Sequence, residues 1–157
     1  MFSLDSVITA VGMVDEVVIM MAAVIIAEIG VDMTRFPTPA HLASWAKFAP
    51  GVNSSAGKSK GSATGHGNRY LARALGEAAV SAARTDTFLG ARYRRLARRR
   101  GKKKAIVAVG RSILVVVWHL LNNPATQFRD LGADHYDRHV NTLAKQRNHV
   151  RQLEALG

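Results

Sequence analysis

Two stretches of the chain are almost purely apolar, and most of the remainder repeats apolar residues at helical spacing. Val17 to Ala27 is eleven consecutive apolar residues without Gly or Pro, which predicts a helix over 14–29 closed by Gly30. Its all-round apolarity predicts burial on every side. Thr38 followed by Pro39 is an N-cap with proline at the first helical position, and Leu42, Trp45 and Ala46 then share a face before Pro50 stops the helix. Leu71, Leu75, Ala78, Ala79 and Ala82 mark the buried side of a helix over 68–84, with Arg69 and Arg73 on its exposed side. Thr85 or Asp86 can cap the next helix, which runs through Arg100 on a narrow stripe of Leu89, Tyr93 and Leu96. Gly101 breaks the pattern. A second apolar helix then spans Ala105 to about Leu121 and ends at Asn122-Asn123-Pro124. After a turn at Gly132, a polar helix from about Asp134 to Leu156 carries Val140, Leu143, Arg147, Val150 and Leu153 at semi-regular intervals.

Between these helices the composition changes at one place. Residues 51–67 contain five glycines among Ser, Lys and Thr, which cannot support a regular core element. No strand-like alternation stands out, apart from a short candidate near Phe48 to Asn53. The fold class expected is therefore all-α: a compact helical domain with a Gly/Ser/Lys-rich loop and a C-terminal polar helix. The domain boundaries that follow are a helical module over 1–123 and a helical tail over 124–157.

Neither apolar stretch reads as a membrane span, because the first is short and flanked by acids, and Arg111 and His119 interrupt the second. Met1 to Asp5 offers no basic leader region, so no secretory signal is expected. The absence of cysteine excludes disulfides, thiolate metal sites and cysteine nucleophiles, and fits a cytoplasmic location.

Charge narrows the functional classes. The 157 residues carry 22 basic and 11 acidic side chains, a net charge of +11, which favours polyanionic partners. The excess is local: residues 1–50 hold two basic and five acidic side chains, residues 58–104 hold 14 and two, and residues 105–157 hold six and four. Arg92, Arg94, Arg95, Arg98 and Arg99 beside one apolar stripe, continued by Lys102 to Lys104, suit phosphate contacts that depend on salt more than on sequence. A merely solvated face and a basic helix lying on anionic lipid are the alternatives.

The segment Gly51 to Ser59 looks at first like a nucleotide-binding phosphate loop, but five residues separate Gly51 from Gly57-Lys58 where that motif needs four, and no hydrophobic strand precedes it. What remains is a pair of hydroxyls, Ser54 and Ser55, close in sequence to Lys58 and Lys60 and upstream of Arg69 and Arg73. A serine becomes a nucleophile when its proton is removed or the developing charge is stabilised, and these cations suit a phosphodiester substrate. A flexible Ser/Gly linker has the same composition. His135 and His139 stand at i, i+4 near Asp134 and Asp137, a spacing compatible with a metal but equally with a polar surface helix, and no metal site is assigned. His119, within the apolar helix, reads as a packed, hydrogen-bonded residue.

Several ordered blocks together are similar to one family. Ala27-Glu28-Ile29-Gly30, Arg35-Phe36-Pro37, Leu42-Ala43-Ser44-Trp45-Ala46, Pro50-Gly51, Ser55-Ala56-Gly57-Lys58 and Gly67-Asn68-Arg69 resemble the C-terminal module of the insertion-sequence one-ten, one-sixteen and nine-oh-two transposases. The likeness continues through Ala83-Arg84-Thr85, Tyr93 to Ala97, Arg100 to Lys103, Ala105 to Val109 and Asp130 to Asp134, and covers most of residues 24–157. The resemblance implies DNA transposition and recombination, in which a serine of this module, here Ser55 with Ser54 adjacent, attacks a DNA phosphodiester and becomes covalently linked to it. Joined to the charge pattern, this reading places nucleic-acid contacts at Lys58, Lys60, Arg69, Arg73, Arg92, Arg95, Arg99, Lys102 and Lys103. The resemblance further implies an RuvC-like domain with divalent metal, a structured guide RNA, and homo-oligomers with full-length transposase. No such metal domain is found in this sequence, so no cofactor is assigned to the chain and binding is expected more than turnover. The family's Pro-Gly-Val-Gly turn would fall at Val11 to Val14 and is rearranged here. The other reading is a non-catalytic nucleic-acid-binding module, or a truncated transposase acting through oligomerisation.

Overall fold

A computed structural model of the chain describes residues 16–49, 54–55, 58–59, 65–123, 125–138 and 142–155. Among the described residues the architecture is all-α, as expected, with seven α-helices: α1 (Glu16–Ile29), α2 (Pro39–Trp45), α3 (Arg69–Ala83), α4 (Phe88–Arg100), α5 (Lys102–Asn122), α6 (His135–Arg138) and α7 (Thr142–Glu154). A 3-10 turn, Met33–Arg35, joins α1 to α2. The only regular extended structure in the described residues is a pair of two-residue strands, β1 (Ser54–Ser55) and β2 (Lys58–Ser59); of the strand candidate at 48–53, residues 50–53 lie outside the described residues.

The centre of the molecule is α5. Its length and composition would let it cross a membrane, yet it is covered by protein on several sides, with α2, α3, α4 and the 3-10 turn all packed against it. Val109, Ile113, Leu114 and Val117 are fully enclosed and meet Leu42 of α2 and Leu71 and Leu75 of α3 in one continuous core. Each such aliphatic side chain contributes about 1.5–3 kcal/mol when removed from water. The Trp118 indole N–H donates to the Phe36 carbonyl at 2.8 Å, pinning α5 to the chain just after the 3-10 turn. α5 begins at Lys102, three residues before the apolar run that predicts it.

α1 corrects an expectation. Among the residues of α1 whose burial is described, 20–29, Met21, Ala22, Ile25 and Ile29 are buried, whereas Met20, Ala23, Val24 and Ala27 are exposed, and the helix packs against α3. An unbroken apolar run says that burial is permitted on every face; the neighbours decide which faces receive it. His119 likewise is exposed, edge-on to the Trp118 ring, rather than packed in the core. The expected C-terminal polar helix is described in two stretches, α6 and α7, and residues 139–141 between them lie outside the described residues.

Caps follow local chemistry. Thr38 Oγ1 accepts from the His41 amide ahead of Pro39, and Gly30 adopts φ +79° beyond α1. α4 is capped by Thr87, not by Thr85 or Asp86: the Thr87 hydroxyl accepts from the Gly90 amide, while the Thr85 hydroxyl donates back to the Ala82 carbonyl. Asn68 caps α3 through Oδ1, which accepts from the amides of Tyr70 and Leu71, and its Nδ2 donates to the Glu28 carboxylate of α1. One side chain thus starts α3 and ties α1 to it.

Two glycines permit close helix approaches. A Cβ at Gly90 would lie 2.2 Å from the Thr85 carbonyl oxygen and 2.8 Å from that of Ala82, where α4 turns onto α3. A Cβ at Gly110 would lie 2.6 Å from the Phe48 ring.

Gly90→Ala is expected to destabilise the fold by about 1–3 kcal/mol, read as a lower urea midpoint. Gly76→Ala, on α3 with nothing within 4 Å of the new methyl, should raise stability by roughly 0.5–1 kcal/mol. Equal midpoints for the two variants would contradict the packing described. Asn68→Ala should cost about 1–3 kcal/mol by removing the cap and leaving Glu28 without its donor, and Glu28→Gln should cost less than Asn68→Ala in the same denaturation experiment.

Candidate nucleic-acid interface

The Gly-rich segment is held at its downstream end by a corner of α2. The end of that helix is a Schellman arrangement: the Lys47 amide donates to the Ser44 carbonyl and the Phe48 amide to the Ala43 carbonyl, with Lys47 in the left-handed region at φ 59°. Residues 65–67 pass directly over this corner. A Cβ at Gly67 would stand 2.9 Å from the Ala46 carbonyl oxygen, and one at Gly65 would stand 3.2 Å from the Lys47 side chain. Glycine here serves close backbone approach, and from Gly67 the chain enters Asn68 and the first turn of α3.

Upstream, β1 and β2 pair antiparallel with Ser54 opposite Ser59 and Ser55 opposite Lys58. Directly opposed positions in such a ladder share a face, so positions 55 and 58 lie on one side and positions 54 and 59 on the other. The register thus brings together the serine and the lysine that the sequence singles out. Lys60 lies outside the described residues, as do the rearranged turn at 11–14 and His139.

Arg69 and Arg73 are exposed on the first two turns of α3. The Arg69 guanidinium lies 5.0 Å from the centre of the Tyr70 ring and donates to its hydroxyl at 3.0 Å. Arg73 donates to Glu77 at 2.8 Å, and that hydrogen bond, reinforced by the carboxylate charge, raises the arginine above its ordinary pKa. The pair is solvent-exposed and screened, so it can exchange for a phosphate at little cost.

A second group of cations gathers where α4 meets α5. Gly101, at φ +85° and ψ 160°, is the single residue between the two helices. The C-terminal end of α4, with Arg98, Arg99 and Arg100, therefore abuts the N-terminal end of α5, with Lys102, Lys103 and Lys104. All six are exposed, and none forms an ion pair among the described residues. The arginines suit the negative end of α4, but the lysines stand at the positive end of α5, where no side-chain cap is present and an anion is favoured.

The remaining arginines of α4 are partly committed within the fold. Arg94 donates to the Thr85 carbonyl at 3.0 Å and pairs with Asp86 at 3.4 Å. Arg92 is half-buried and donates to the Tyr136 hydroxyl at 3.0 Å, leaving its Nε enclosed without a partner. Arg95 is exposed and lies 4.6 Å from the centre of the Tyr136 ring, which in turn stacks on Phe88. Tyr136 comes from the segment that returns to α4 after α5, fixed by Asp130, whose carboxylate accepts from the amides of Phe88 and Gly132. Sequence reasoning missed Tyr136 and Lys47; neither carries a local motif, and Tyr136 reaches Arg92 across 44 positions.

No hydrogen bond or ion pair links the α3 cations to those of α4 and α5 among the described residues. The same residues contain no group of three or more His, Asp or Glu side chains converging to hold a metal ion, so they do not fit the divalent cation that the resemblance implies. His135 packs edge-on to Phe88 at 5.1 Å.

No curated protein and no solved structure matches the chain. A family model does: that of the Transposase IS116/IS110/IS902 family, over residues 16–94, which takes in α1 to the middle of α4, with the hairpin and the caps of α2, α3 and α4 between them. The chain belongs to the Transposase IS116/IS110/IS902 family.

Proposed function

We propose that this module takes part in DNA transposition by attacking a DNA phosphodiester with Ser55 while its cationic corner grips the nucleic acid. The observation that carries this reading is the register of the hairpin, which sets Ser55 directly opposite Lys58 within the family-matched segment. In the reaction the Ser55 oxygen forms a bond to phosphorus as one bridging P–O bond of the backbone breaks. The serine proton passes to solvent or a base, and the released sugar oxygen takes up a proton. Lys58, Arg69 and Arg73 offset charge on the phosphoryl oxygens. Lys60, Arg92, Arg95, Arg99, Lys102 and Lys103 complete the contact set, Arg95, Arg99, Lys102 and Lys103 being the exposed members on α4 and α5.

The carboxylates for a divalent cation belong, on this reading, to an RuvC-like domain, and a structured guide RNA and full-length transposase subunits are the partners. A second reading, binding without catalysis, rests on the α4–α5 corner alone, where exposed cations without acidic partners repel one another until an anion arrives.

With an RuvC-like domain supplied in trans, a suicide DNA substrate should trap a covalent adduct that is lost in Ser55→Ala and retained in Ser54→Ala. Adduct of equal yield in both variants would overturn the assignment of Ser55. DNA affinity should fall steeply with salt, and Arg99→Ala or Lys103→Ala should each reduce the slope of log K against log salt by about one, with Ser55→Ala leaving it unchanged. An affinity indifferent to salt would remove the cationic corner from the contact set.

A further inference from the structure

Between α4 and the segment 133–137 lies a cleft of about 260 Å³ whose polar lining includes Arg94, Arg95, Arg98, Tyr136 and Asp137. Three arginines and one aspartate thus line it. Arg94 is occupied by Asp86 and by the Thr85 carbonyl, but Arg95 and Arg98 form no ion pair among the described residues, and neither does Asp137. The cleft is a built feature: Tyr136 is stacked on Phe88, hydrogen-bonded by Arg92, and lies within 4.6 Å of the Arg95 guanidinium. Arg98 is braced by its Nε donating to the Arg94 carbonyl at 3.4 Å. Long arginine side chains lose rotamer freedom when they bind, and holding them beforehand lowers that cost.

We propose that this cleft binds one backbone phosphodiester of a nucleic-acid strand, with Arg95 and Arg98 as its direct ligands and Tyr136 as the residue that positions Arg95. The proposal rests on the reading that the module contacts nucleic acid, and adds a defined site to it. A planar guanidinium fork matches phosphate oxygens, and two forks in one cleft exceed what a neutral or cationic ligand requires. A strand, rather than a free anion, is favoured because Arg95, Arg98 and Arg99 stand at i, i+3 and i+4 on α4 and continue out of the cleft to Arg100 and Lys102. A lone phosphate would use the cleft only; a polyanion uses the cleft and the row beyond it. Asp137 opposes the bound charge, which makes it the informative position.

The test is fluorescence anisotropy of the full chain with short labelled single strands of DNA and, separately, of RNA, with inorganic phosphate as competitor. Arg98→Ala and Tyr136→Ala should each weaken strand binding about tenfold, and Tyr136→Phe less, since it keeps the ring beneath Arg95. Asp137→Asn should tighten binding about threefold, while Asp32→Asn, on the 3-10 turn, should leave it unchanged. Inorganic phosphate should compete only weakly, and the DNA and RNA arms show which strand the site prefers. Thermal melts followed by circular dichroism separate loss of the fold from loss of the site, and Asp137→Asn, at an exposed position, provides a variant whose effect is a gain. Unchanged affinity in both Arg98→Ala and Asp137→Asn, with Lys103→Ala still weakening the complex, would overturn the cleft and leave the nucleic-acid reading standing. No strand binding by the unmodified chain would overturn both. Full competition by phosphate at low concentration would overturn the assignment to a strand.

Discussion

Covering α5 is the constraint on which the rest of the structure depends. Twenty-one residues of helix, roughly 30 Å long, carry apolar side chains around most of their circumference, and no single neighbour can shield them. The chain answers with α2, α3, α4 and the 3-10 turn on different sides. Small residues serve the close packing around it: Gly110 of α5 beneath the Phe48 ring, buried Ala78, Ala79 and Ala82 along α3, and Gly90 where α4 turns back onto α3. The consequence for function is positional. Because α3 must lie on α5, its capped N-terminus with Asn68 is fixed relative to α1 and α2, and the Gly-rich segment has to end at that point.

The same requirement concentrates charge. α4 and α5 pack along each other with one residue between them, so the chain reverses at Gly101 and the run from Arg98 to Lys104 is folded into a corner instead of being stretched along a surface. Placing six exposed cations there without acidic partners costs stability through mutual repulsion, and a polyanion relieves it. By contrast, Arg92 and Arg94 are partly committed to the fold, bonding to Tyr136 and to the loop before α4. Arginines identical in sequence character therefore differ in how many donors they keep available, and only the packing of the segments around α4 tells them apart.

Local backbone chemistry was the legible part of the fold. Gly30, Thr38-Pro39, Asn68 and Gly101 mark helix ends by their own conformational needs, so they could be read without knowing the neighbours. Legibility failed where several residues compete for one role or where a distant partner decides. Thr85, Asp86 and Thr87 are all good caps, and the choice of Thr87 depends on Thr85 finding the Ala82 carbonyl. Lys102 to Lys104 read only as a continuation of the charge, with the helix expected from Ala105, yet α5 with its buried Ala105 and Val109 begins at Lys102 although lysines oppose the helix dipole at an N-terminus. The exposed side of α1 could not be inferred from a run that is apolar on every side.

At the candidate site the nearness of Ser55 and Lys58 in sequence was legible but their cross-strand pairing was not, since Ala-Gly is not one of the dipeptides that mark a tight hairpin. Nor was Tyr136, because its importance arises from three contacts that converge from α4: the Phe88 ring, the Arg92 donor and the Arg95 guanidinium. That convergence has a direct energetic reading. Burying part of Arg92 with its Nε unpartnered is unfavourable, and the Tyr136 hydroxyl offsets only one of its donors. A fold gains little from such an arrangement if stability is the only purpose; it gains more if the ring is needed to hold the neighbouring Arg95 ready at the rim of a cleft. The cost is borne inside the module, where Phe88 and Asp130 secure the returning segment, and the benefit falls at its surface.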